Sequence, residues 1–376
     1  MGKAVLKFSR VHIRFSMALL LVVILGGVLR LYAIDRLPPG LNHDEAFNNL
    51  MALRLVQGTM SPPVYFRVEF GREPLHMYLI AFLFRLFGTT PLGGRIVSAL
   101  AGTWLVLALG LTIRELFYVQ LGRARATRLG LLSALLLAAF YWPMHYSRIG
   151  MEPILVPALA IPAFGLTWRA LRTRRAWDAV LGGVFLGGTM YAYPASRFVP
   201  LLLAFFFSLW VLLKRGFLRE NWRALVIVAG VALLVFAPLG YFFLTHPFWF
   251  IRRADMVNME TLPELKRELG NLARGFFQQG DINWRQNLAN RPIFDSLQGF
   301  LFVTGVLACL ALHTPAHLFL LAWMVIMLIP SAITEYAPHF GRMLTAAPAA
   351  ATLMGAGVVT WYDLAMKAAR RWRSKS

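Results

Sequence analysis

The sequence contains a single cysteine and comparatively few acidic residues. Cys309 lies in an apolar run, so no disulfide can form within the chain, and a lone cysteine in such surroundings usually packs as a small hydrophobic residue. A Walker loop and the CxxC and HExxH patterns are also missing, so ATP hydrolysis and the common zinc chemistries lack support. Acidic residues number 17 against 38 lysines and arginines, which gives a formal net charge of +21.

Apolar residues, in contrast, are abundant. They make up 58% of the 376 residues, and the mean hydropathy is +0.60, whereas soluble globular domains are about half apolar. Several apolar runs approach the ~20 residues that a helix needs to cross a bilayer. The sequence therefore predicts an all-α, polytopic membrane protein that forms one transmembrane domain over residues 1–376.

Basic residues cluster between the apolar runs in a pattern that predicts topology. Five clusters hold 21 of the 38 lysines and arginines: Lys3–Arg14, Arg114–Arg128, Arg169–Arg175, Lys214–Arg223 and Lys367–Lys375. Only four acids accompany them, so placing all five clusters on one side leaves a net charge of +17 there and +4 on the other side. The positive-inside rule assigns the basic side to the cytoplasm. This explains the basic charge without nucleic-acid binding.

The apolar runs between these clusters predict about ten spans in a plasma or inner membrane. The same rule predicts that both termini are cytoplasmic. The predicted spans are 15–33, 95–116, 129–144, 153–170, 177–193, 198–213, 224–244, 296–312, 316–333 and 343–365. The apolar segment 75–87 is short and carries His76 and Arg85, so we expect it to lie as an amphipathic helix on the extracytoplasmic surface. The predicted topology has two large outer loops, at residues 34–94, which include this helix, and at residues 245–295. We expect no soluble domain after the last span.

Thirteen acids fall on the predicted extracytoplasmic side, and several lie beside arginines where spans end. The side chains concerned, with neighbouring histidines and tyrosines, are Asp44, Glu45, Glu73, His76, Arg148, Glu152, Tyr191, Tyr193, Arg197, Glu335, His339 and Arg342. Charges gathered at one membrane level are costly unless they are paired or functional. Two structural alternatives stay open: Arg148 and Glu152 could form a helix-end ion pair, and Asp44 could cap a helix.

The order of these motifs resembles that of the GT-C glycosyltransferases, in particular the bacterial relatives of protein O-mannosyltransferases and aminoarabinose transferases. The early motifs are Asp44-Glu45, Glu73-Pro-Leu-His-Met-Tyr-Leu79, Leu86-Phe87-Gly88 and Arg95. The later ones are Ser147-Arg148 with Glu152, Tyr191-Ala-Tyr-Pro-Ala-Ser-Arg197, Gly280-Asp281-Ile-Asn283-Trp-Arg285-Gln-Asn287 with Arg291-Pro292 and Asp295, and Pro338-His339-Phe-Gly-Arg342. The resemblance covers residues 15–365. Two departures are Glu152, where relatives more often carry aspartate, and the end of the chain after the tenth span, where many relatives continue.

The resemblance implies transfer of a sugar from a polyprenyl-phosphate donor to an extracytoplasmic acceptor, with inversion. Phosphate leaves as a stable anion, so the main proton transfer takes the proton of the acceptor hydroxyl to a base. We predict Asp44 as that base, with Glu45 in the catalytic site, where its like charge would make Asp44 a stronger base. Two carboxylates could instead support a retaining double displacement, but adjacent residues do not readily face one sugar.

Other residues of the predicted site bind the donor or support it. Arginine meets two phosphate oxygens at once, so we predict that the donor phosphate is bound by Arg148, Arg197, His339 and Arg342. Acceptor positioning or structural support is predicted for Glu73, His76, Glu152, Tyr191 and Tyr193. No cofactor is predicted, although a divalent metal bound by carboxylate oxygens stays open.

Three other functions also stay open. A secondary transporter would place ionisable residues near the bilayer midplane, whereas here they gather at the outer rim. A non-catalytic subunit of an envelope complex would tolerate the loss of Asp44. An enzyme that transfers a lipid-linked oligosaccharide is the nearest alternative. The identities of the sugar and the acceptor do not follow from the sequence.

Overall fold

The computed structural model describes residues 2–255 and 261–373, with the side chains of residues 14–252 and 261–373. Over these residues the chain forms sixteen α-helices, three short 3-10 helices and an isolated β-bridge. The α-helices are α1 (Gly2–Leu31), α2 (His43–Val56), α3 (Leu75–Phe87), α4 (Gly93–Leu116), α5 (Tyr118–Ala139), α6 (Tyr141–Arg148), α7 (Leu155–Thr173), α8 (Ala176–Thr189), α9 (Phe198–Leu213), α10 (Phe217–Thr245), α11 (Pro247–Asp255), α12 (Leu262–Phe277), α13 (Ser296–Leu312), α14 (Pro315–Ile326), α15 (Ile329–Ala332) and α16 (Ala347–Arg373).

The all-α, membrane-spanning class is confirmed, but the number of spans is smaller than the ten predicted. Among the described residues, seven helices are long and apolar enough to cross a membrane, or eight if the bent pair α5 and α6 forms one span. The difference arises at the predicted spans 177–193 and 296–312, which form α8 and α13 with 14 and 17 residues. At 1.5 Å per residue, each is shorter than the ~30 Å hydrocarbon core.

Helix α4 lies at the centre of the helical bundle. It packs against α1, α5 and α7, and its side chains Leu105 and Leu109 are completely buried. Small residues allow this close approach, since a Cβ added at Gly130 of α5 would lie 2.5 Å from the carbonyl oxygen of Gly110. Helix α8 packs between α7 and α10 in the same way, and α13 packs along α16.

A buried arginine stabilises the bend between α5 and α6. The two helices meet at 56°, so the last carbonyl groups of α5 lose their helical partners. Arg30, completely buried at the end of α1, donates to the carbonyl oxygens of Leu137 and Ala138 at 3.4 and 3.1 Å. A cation at this position also interacts favourably with the helix dipole.

Arg148, at the end of α6, binds the end of α1 in a similar way. Its guanidinium donates to the carbonyl oxygens of four residues at 2.7 to 3.1 Å, namely Leu29, Arg30, Tyr32 and Leu37. Each arginine therefore binds carbonyl groups at the end of another helix, Arg30 those of α5 and Arg148 those of α1. We call Arg30 and Arg148 the cross-capping arginines.

The loops predicted to be extracytoplasmic meet at one end of the bundle. Asp44 of the first loop contacts Arg285 of the second at 3.1 Å. At the other end, three of the basic clusters approach one another through the pairs Arg172–Glu115 and Arg125–Asp363. The fold thus separates the outer-loop site from the basic clusters, as the charge pattern predicts, while the side that faces the cytoplasm stays a prediction.

Candidate active site

The start of α2 fixes the two adjacent acids of the first loop. Asn42 Oδ1 accepts from the backbone N–H of Glu45, and Glu45 Oε2 accepts from the backbone N–H of Asn42, both at 2.9 Å. This is a capping box. Because Asn42 is the N-cap residue, the capping alternative for Asp44 is wrong, and the Asp44 carboxylate makes other contacts.

Glu45 is completely engaged in structural contacts. Its carboxylate is 1% exposed and accepts four hydrogen bonds: from Arg95 Nε and Nη2 at 2.8 and 3.2 Å, and from the N–H groups of Gly150 and Asn42 at 2.9 Å. Four donors fill the acceptor positions of a carboxylate. This placement ties α2 to α4 and argues against the catalytic role predicted for Glu45.

Arg72 lies at the centre of three other carboxylates. Its Nη2 contacts Asp44 Oδ1 at 2.7 Å and Glu69 Oε2 at 2.8 Å, while Nη1 contacts Glu152 Oε1 at 2.9 Å. Burial opposes the charge of Arg72, but Glu152 and Asp44, followed by Glu69, raise its pKa. The guanidinium therefore stays protonated. Glu152 pairs with Arg72, so the predicted alternative of an Arg148–Glu152 ion pair is wrong.

The local backbone presents Arg72 to these acids. Arg72 and Phe66 form the isolated antiparallel bridge, with two N–H···O hydrogen bonds of 3.0 and 3.1 Å. Gly71 before it has a φ of +84°, and an added Cβ would overlap the Tyr65 hydroxyl, so this turn requires glycine. The guanidinium carbon also lies 4.6 Å from the centre of the Phe47 ring, which is cation–π distance.

Arg285 connects these acids to a cavity. Its Nη1 contacts Asp44 Oδ2 at 3.1 Å, so the two oxygens of Asp44 bind two different arginines. Arg285 also lines a cavity of about 900 Å³ between α12, the loop that follows it, and the segment before α16. The arginines, carboxylates and histidine around this cavity are Arg267, Glu268, Arg274, Asp281, Arg285, Glu335, His339 and Arg342. Asp44 thus lies at the border between a buried acidic cluster and a cavity rich in arginine.

Asp281 holds two walls of this cavity together. Its Oδ1 accepts from the N–H of Asn283 at 2.8 Å, and its Oδ2 accepts from the N–H of Phe340 at 3.1 Å. Gly280 before it packs so closely against the carbonyl group of Arg291 that a Cβ would overlap it. These contacts join the loop after α12 to the Pro338–Arg342 motif, although Asp281 and Phe340 are 59 residues apart in the chain.

Burial raises the pKa of Asp281 from 3.8 to about 6, although the N–H groups of Asn283 and Phe340 oppose the shift. Between pH 3.8 and about 6, the folded protein therefore holds a proton that the unfolded chain has lost. This contribution to stability is full below pH 3.8 and is lost as the pH rises through about 6. We expect the melting temperature of the wild type to fall relative to that of Asp281→Asn between pH 5 and pH 7. The corresponding change in the free energy of unfolding should be about 1 kcal/mol.

Thermal unfolding in detergent at the two pH values measures this difference. Asp35→Asn is the matched control, because the Asp35 side chain is 57% exposed. The difference between the wild type and Asp35→Asn should be the same at both values. An equal difference for Asp281→Asn at pH 5 and pH 7 would contradict the assignment.

The predicted phosphate-binding residues occupy three places. His339 and Arg342 line the cavity, and Arg342 is held there by donating to Thr334 Oγ1 at 2.7 Å and the Glu335 carbonyl at 3.0 Å. Arg148 is bound to the carbonyl groups at the end of α1, away from the cavity lining. Arg197 donates to the carbonyl of Phe250 at 2.7 Å and lies 4.0 Å from its ring centre.

The predicted supporting residues also separate into groups. Glu73 lies near Arg197, with 3.9 Å between carboxylate and guanidinium, and the Tyr191 hydroxyl donates to the carbonyl of Val235 at 2.8 Å. Tyr193 packs half-buried against the main apolar core. His76 is completely buried, 3.2 Å from Ser98 Oγ, and burial lowers its pKa to about 4. Glu152, the last of the predicted supporting residues, contacts Arg72.

Two arginines of the site are missing from the predicted site residues, although one directly precedes a quoted motif and the other lies within one. Arg72 lies in the Gly71-Arg72-Glu73-Pro74 segment, and Arg285 lies in the polar run from Asp281 to Asn287. Their position in the chain is a signal that could identify them, because both lie beside glycine, proline or asparagine in loops predicted to be extracytoplasmic. Loops held by such turn residues often carry functional side chains.

The helical arrangement with a charged site at one end is the GT-C glycosyltransferase fold, which confirms the resemblance seen in the sequence. The family model described as dolichyl-phosphate-mannose-protein mannosyltransferase matches residues 72–242. This segment contains Arg72, Arg148, Glu152 and Arg197 but neither Asp44 nor Arg285. No protein of curated function matches the chain.

Solved structures of membrane glycosyltransferases share this fold. ArnT from Cupriavidus metallidurans bound to undecaprenyl phosphate matches with a TM-score of 0.64 and 17% identity over 92% of this chain and 59% of its own. AglB, the oligosaccharyltransferase of Archaeoglobus fulgidus, in complex with an inhibitory peptide and a dolichol-phosphate, gives 0.61 and 16% over 94% and 51%. An Archaeoglobus fulgidus oligosaccharyltransferase complex with Zn and sulfate gives 0.63 and 17% over 91% and 49%. The chain therefore spans about half to three fifths of the length of these proteins.

Proposed function

We propose that the chain is one transmembrane catalytic domain that transfers a sugar from a polyprenyl-phosphate donor to an extracytoplasmic hydroxyl acceptor. The observation that carries the proposal is the position of Asp44 beside the arginine-lined cavity, joined to it by Arg285. A carboxylate next to a cationic cavity provides the two parts that transfer from a phosphate needs: a proton acceptor and stabilisation of the leaving anion. The bound undecaprenyl phosphate and dolichol-phosphate of the similar structures support the donor class.

In the proposed reaction, Asp44 accepts the proton of the acceptor hydroxyl. The oxygen of that hydroxyl forms a bond to the anomeric carbon as the bond from this carbon to the phosphate oxygen breaks. The products are the glycosylated acceptor and polyprenyl phosphate, and one displacement inverts the anomeric centre. Arg342 and Arg285 stabilise the departing phosphate from the cavity wall, and the exposed rings of Trp284 and Tyr336 at the same wall offer apolar faces for the sugar.

Donor turnover by the purified protein tests the proposal. The protein is reconstituted in nanodiscs of anionic and zwitterionic lipid and incubated with a panel of radiolabelled polyprenyl-phosphate sugars. We expect transfer or slow hydrolysis of one donor, and an increase in its KM of about 10- to 100-fold in Arg342→Gln. Hydrogen bonds to charged groups contribute about 1.5–3 kcal/mol each, which corresponds to that range.

Arg54→Gln serves as the matched control, because Arg54 is an exposed arginine on α2 and does not line the cavity. Its KM should equal that of the wild type. Turnover of none of the donors would contradict the proposal and favour a transporter or a non-catalytic subunit. Turnover only of a donor that carries an oligosaccharide would identify an oligosaccharide transferase instead.

A further inference from the structure

Three carboxylates, the side chains that most often bind hard divalent cations, converge on one arginine. Asp44, Glu69 and Glu152 each place an oxygen 2.7 to 2.9 Å from a terminal nitrogen of Arg72. Hard divalent cations take oxygen ligands of this kind at about 2.0–2.6 Å. The position that such a cation would need is therefore taken by the guanidinium.

The similar oligosaccharyltransferase complex with Zn raises the question of a metal at this site. The residues of this chain do not fit one as they stand. Within the described ranges, 2–255 and 261–373, no group of three or more histidine, cysteine, aspartate or glutamate side chains could hold a metal ion. The guanidinium holds the carboxylates apart, because Asp44 and Glu69 bind one terminal nitrogen and Glu152 binds the other.

Arg72 is built into this position. Its side chain is 10% exposed, the bridge to Phe66 fixes its backbone, and the Phe47 ring covers the guanidinium. Arg285, by comparison, is 37% exposed and contacts Asp44 alone among these acids. The fixed cation of the cluster is thus Arg72. Removing this buried cation would take the Arg72 partner from all three carboxylates, a costly loss of positive charge that a divalent ion would relieve.

We propose that Arg72 is an internal cation that takes the place of a divalent metal, positioning Asp44 and compensating the charge of the acidic cluster. Arg72 is a positioning residue for the reaction, and this role rests on the function proposed above. Two consequences follow from it. The wild type works without a divalent metal, and loss of the Arg72 side chain creates a site where such a metal binds.

Manganese binding to the protein in nanodiscs tests this directly and needs no sugar donor. Electron paramagnetic resonance titration should show no tightly bound Mn²⁺ in the wild type or in Arg72→Lys, which keeps the positive charge. Arg72→Ala should bind one Mn²⁺ per chain, and adding Glu152→Gln to it should weaken that binding at least tenfold. Mn²⁺ should also raise the melting temperature of Arg72→Ala only.

Activity gives the second measurement. Turnover by the wild type should be unchanged by EDTA, whereas Arg72→Ala should lose turnover and regain part of it with Mn²⁺. One tightly bound Mn²⁺ in the wild type, lost in Asp44→Asn, would overturn the inference, and so would a folded Arg72→Ala that binds none. The wild-type titration decides the question even if Arg72→Ala does not fold. Failure of every sugar donor would count against the proposed function alone.

Discussion

Asp44→Asn is expected to lower donor turnover by about 10²–10⁴-fold, the contribution that a positioned general base usually makes. Asparagine has nearly the same size and can still accept a hydrogen bond from Arg72 or Arg285, but it cannot take the proton of the acceptor hydroxyl. The loss should therefore appear in kcat, with a smaller change in the donor KM. Steady-state kinetics with the donor identified in nanodiscs measures both constants.

Asp35→Asn provides the control for this variant, since Asp35 belongs to the same outer loop and is 57% exposed. It should keep the kinetics of the wild type. Melting temperatures establish whether Asp44→Asn is folded, because it leaves the two arginines of the site with one fewer negative charge. A folded Asp44→Asn with full turnover would keep the enzyme and reject Asp44 as its base.

Arg95→Ala is expected to destabilise the protein by about 3–5 kcal/mol, as does removal of one partner from a buried ion pair. Arg95 and Glu45 are 2% and 1% exposed, with 2.8 Å between Nε and Oε1. Arg95 also donates to the carbonyl groups of Ile34, Pro38 and Gly40. The substitution leaves Glu45 charged and without its cation, and it releases the entry to α2. Thermal unfolding in a single detergent provides the comparison.

Arg125→Ala is the matched control for this prediction. The Arg125–Asp363 pair is longer, at 3.7 Å, and its side chains are 61% and 38% exposed, so its loss should cost less than about 1 kcal/mol. In the double variant Arg95→Ala with Glu45→Ala, the second substitution should cost less than Glu45→Ala costs alone, because it removes the unpaired charge. Strictly additive losses would show that the two side chains are not coupled.

The sequence predicted the fold class and the helix at residues 75–87 well, because both depend on local patterns, while the position of this helix on the membrane surface stays a prediction. The helix expected at residues 75–87 forms as α3 over the same residues, with Phe82 and Phe87 exposed and Met77 and Ile80 buried. The span predicted at 177–193 is too long for a physical reason. Tyr191 and Tyr193 are apolar enough to extend a hydropathy window, but Pro194 begins a separate turn there.

Part of the site can also be predicted from residues that are close together in the sequence. The spacing of Asn42 and Glu45 is that of a capping box, a local signal that identifies the N-cap and assigns Glu45 to it. The partners of Arg72 cannot be predicted in this way. Asp44 and Glu152 lie 28 and 80 residues from it in the chain, and only the packing of α2, α4 and α7 brings them together. Arginines at span ends are ambiguous, since their donors suit phosphate and carbonyl oxygens equally.

The cross-capping arginines have a consequence for how the protein assembles in its membrane. Arg30 finds its partners 107 and 108 residues further along the chain, and Arg148 binds the end of α1, which is synthesised before it. Until α5 and α6 have been inserted, Arg30 therefore has only its own helix and the lipid headgroups to satisfy it, which its long side chain can reach. The end of α1 therefore gains these contacts only when α5 and α6 have packed against it, and the outer site is complete only after that step.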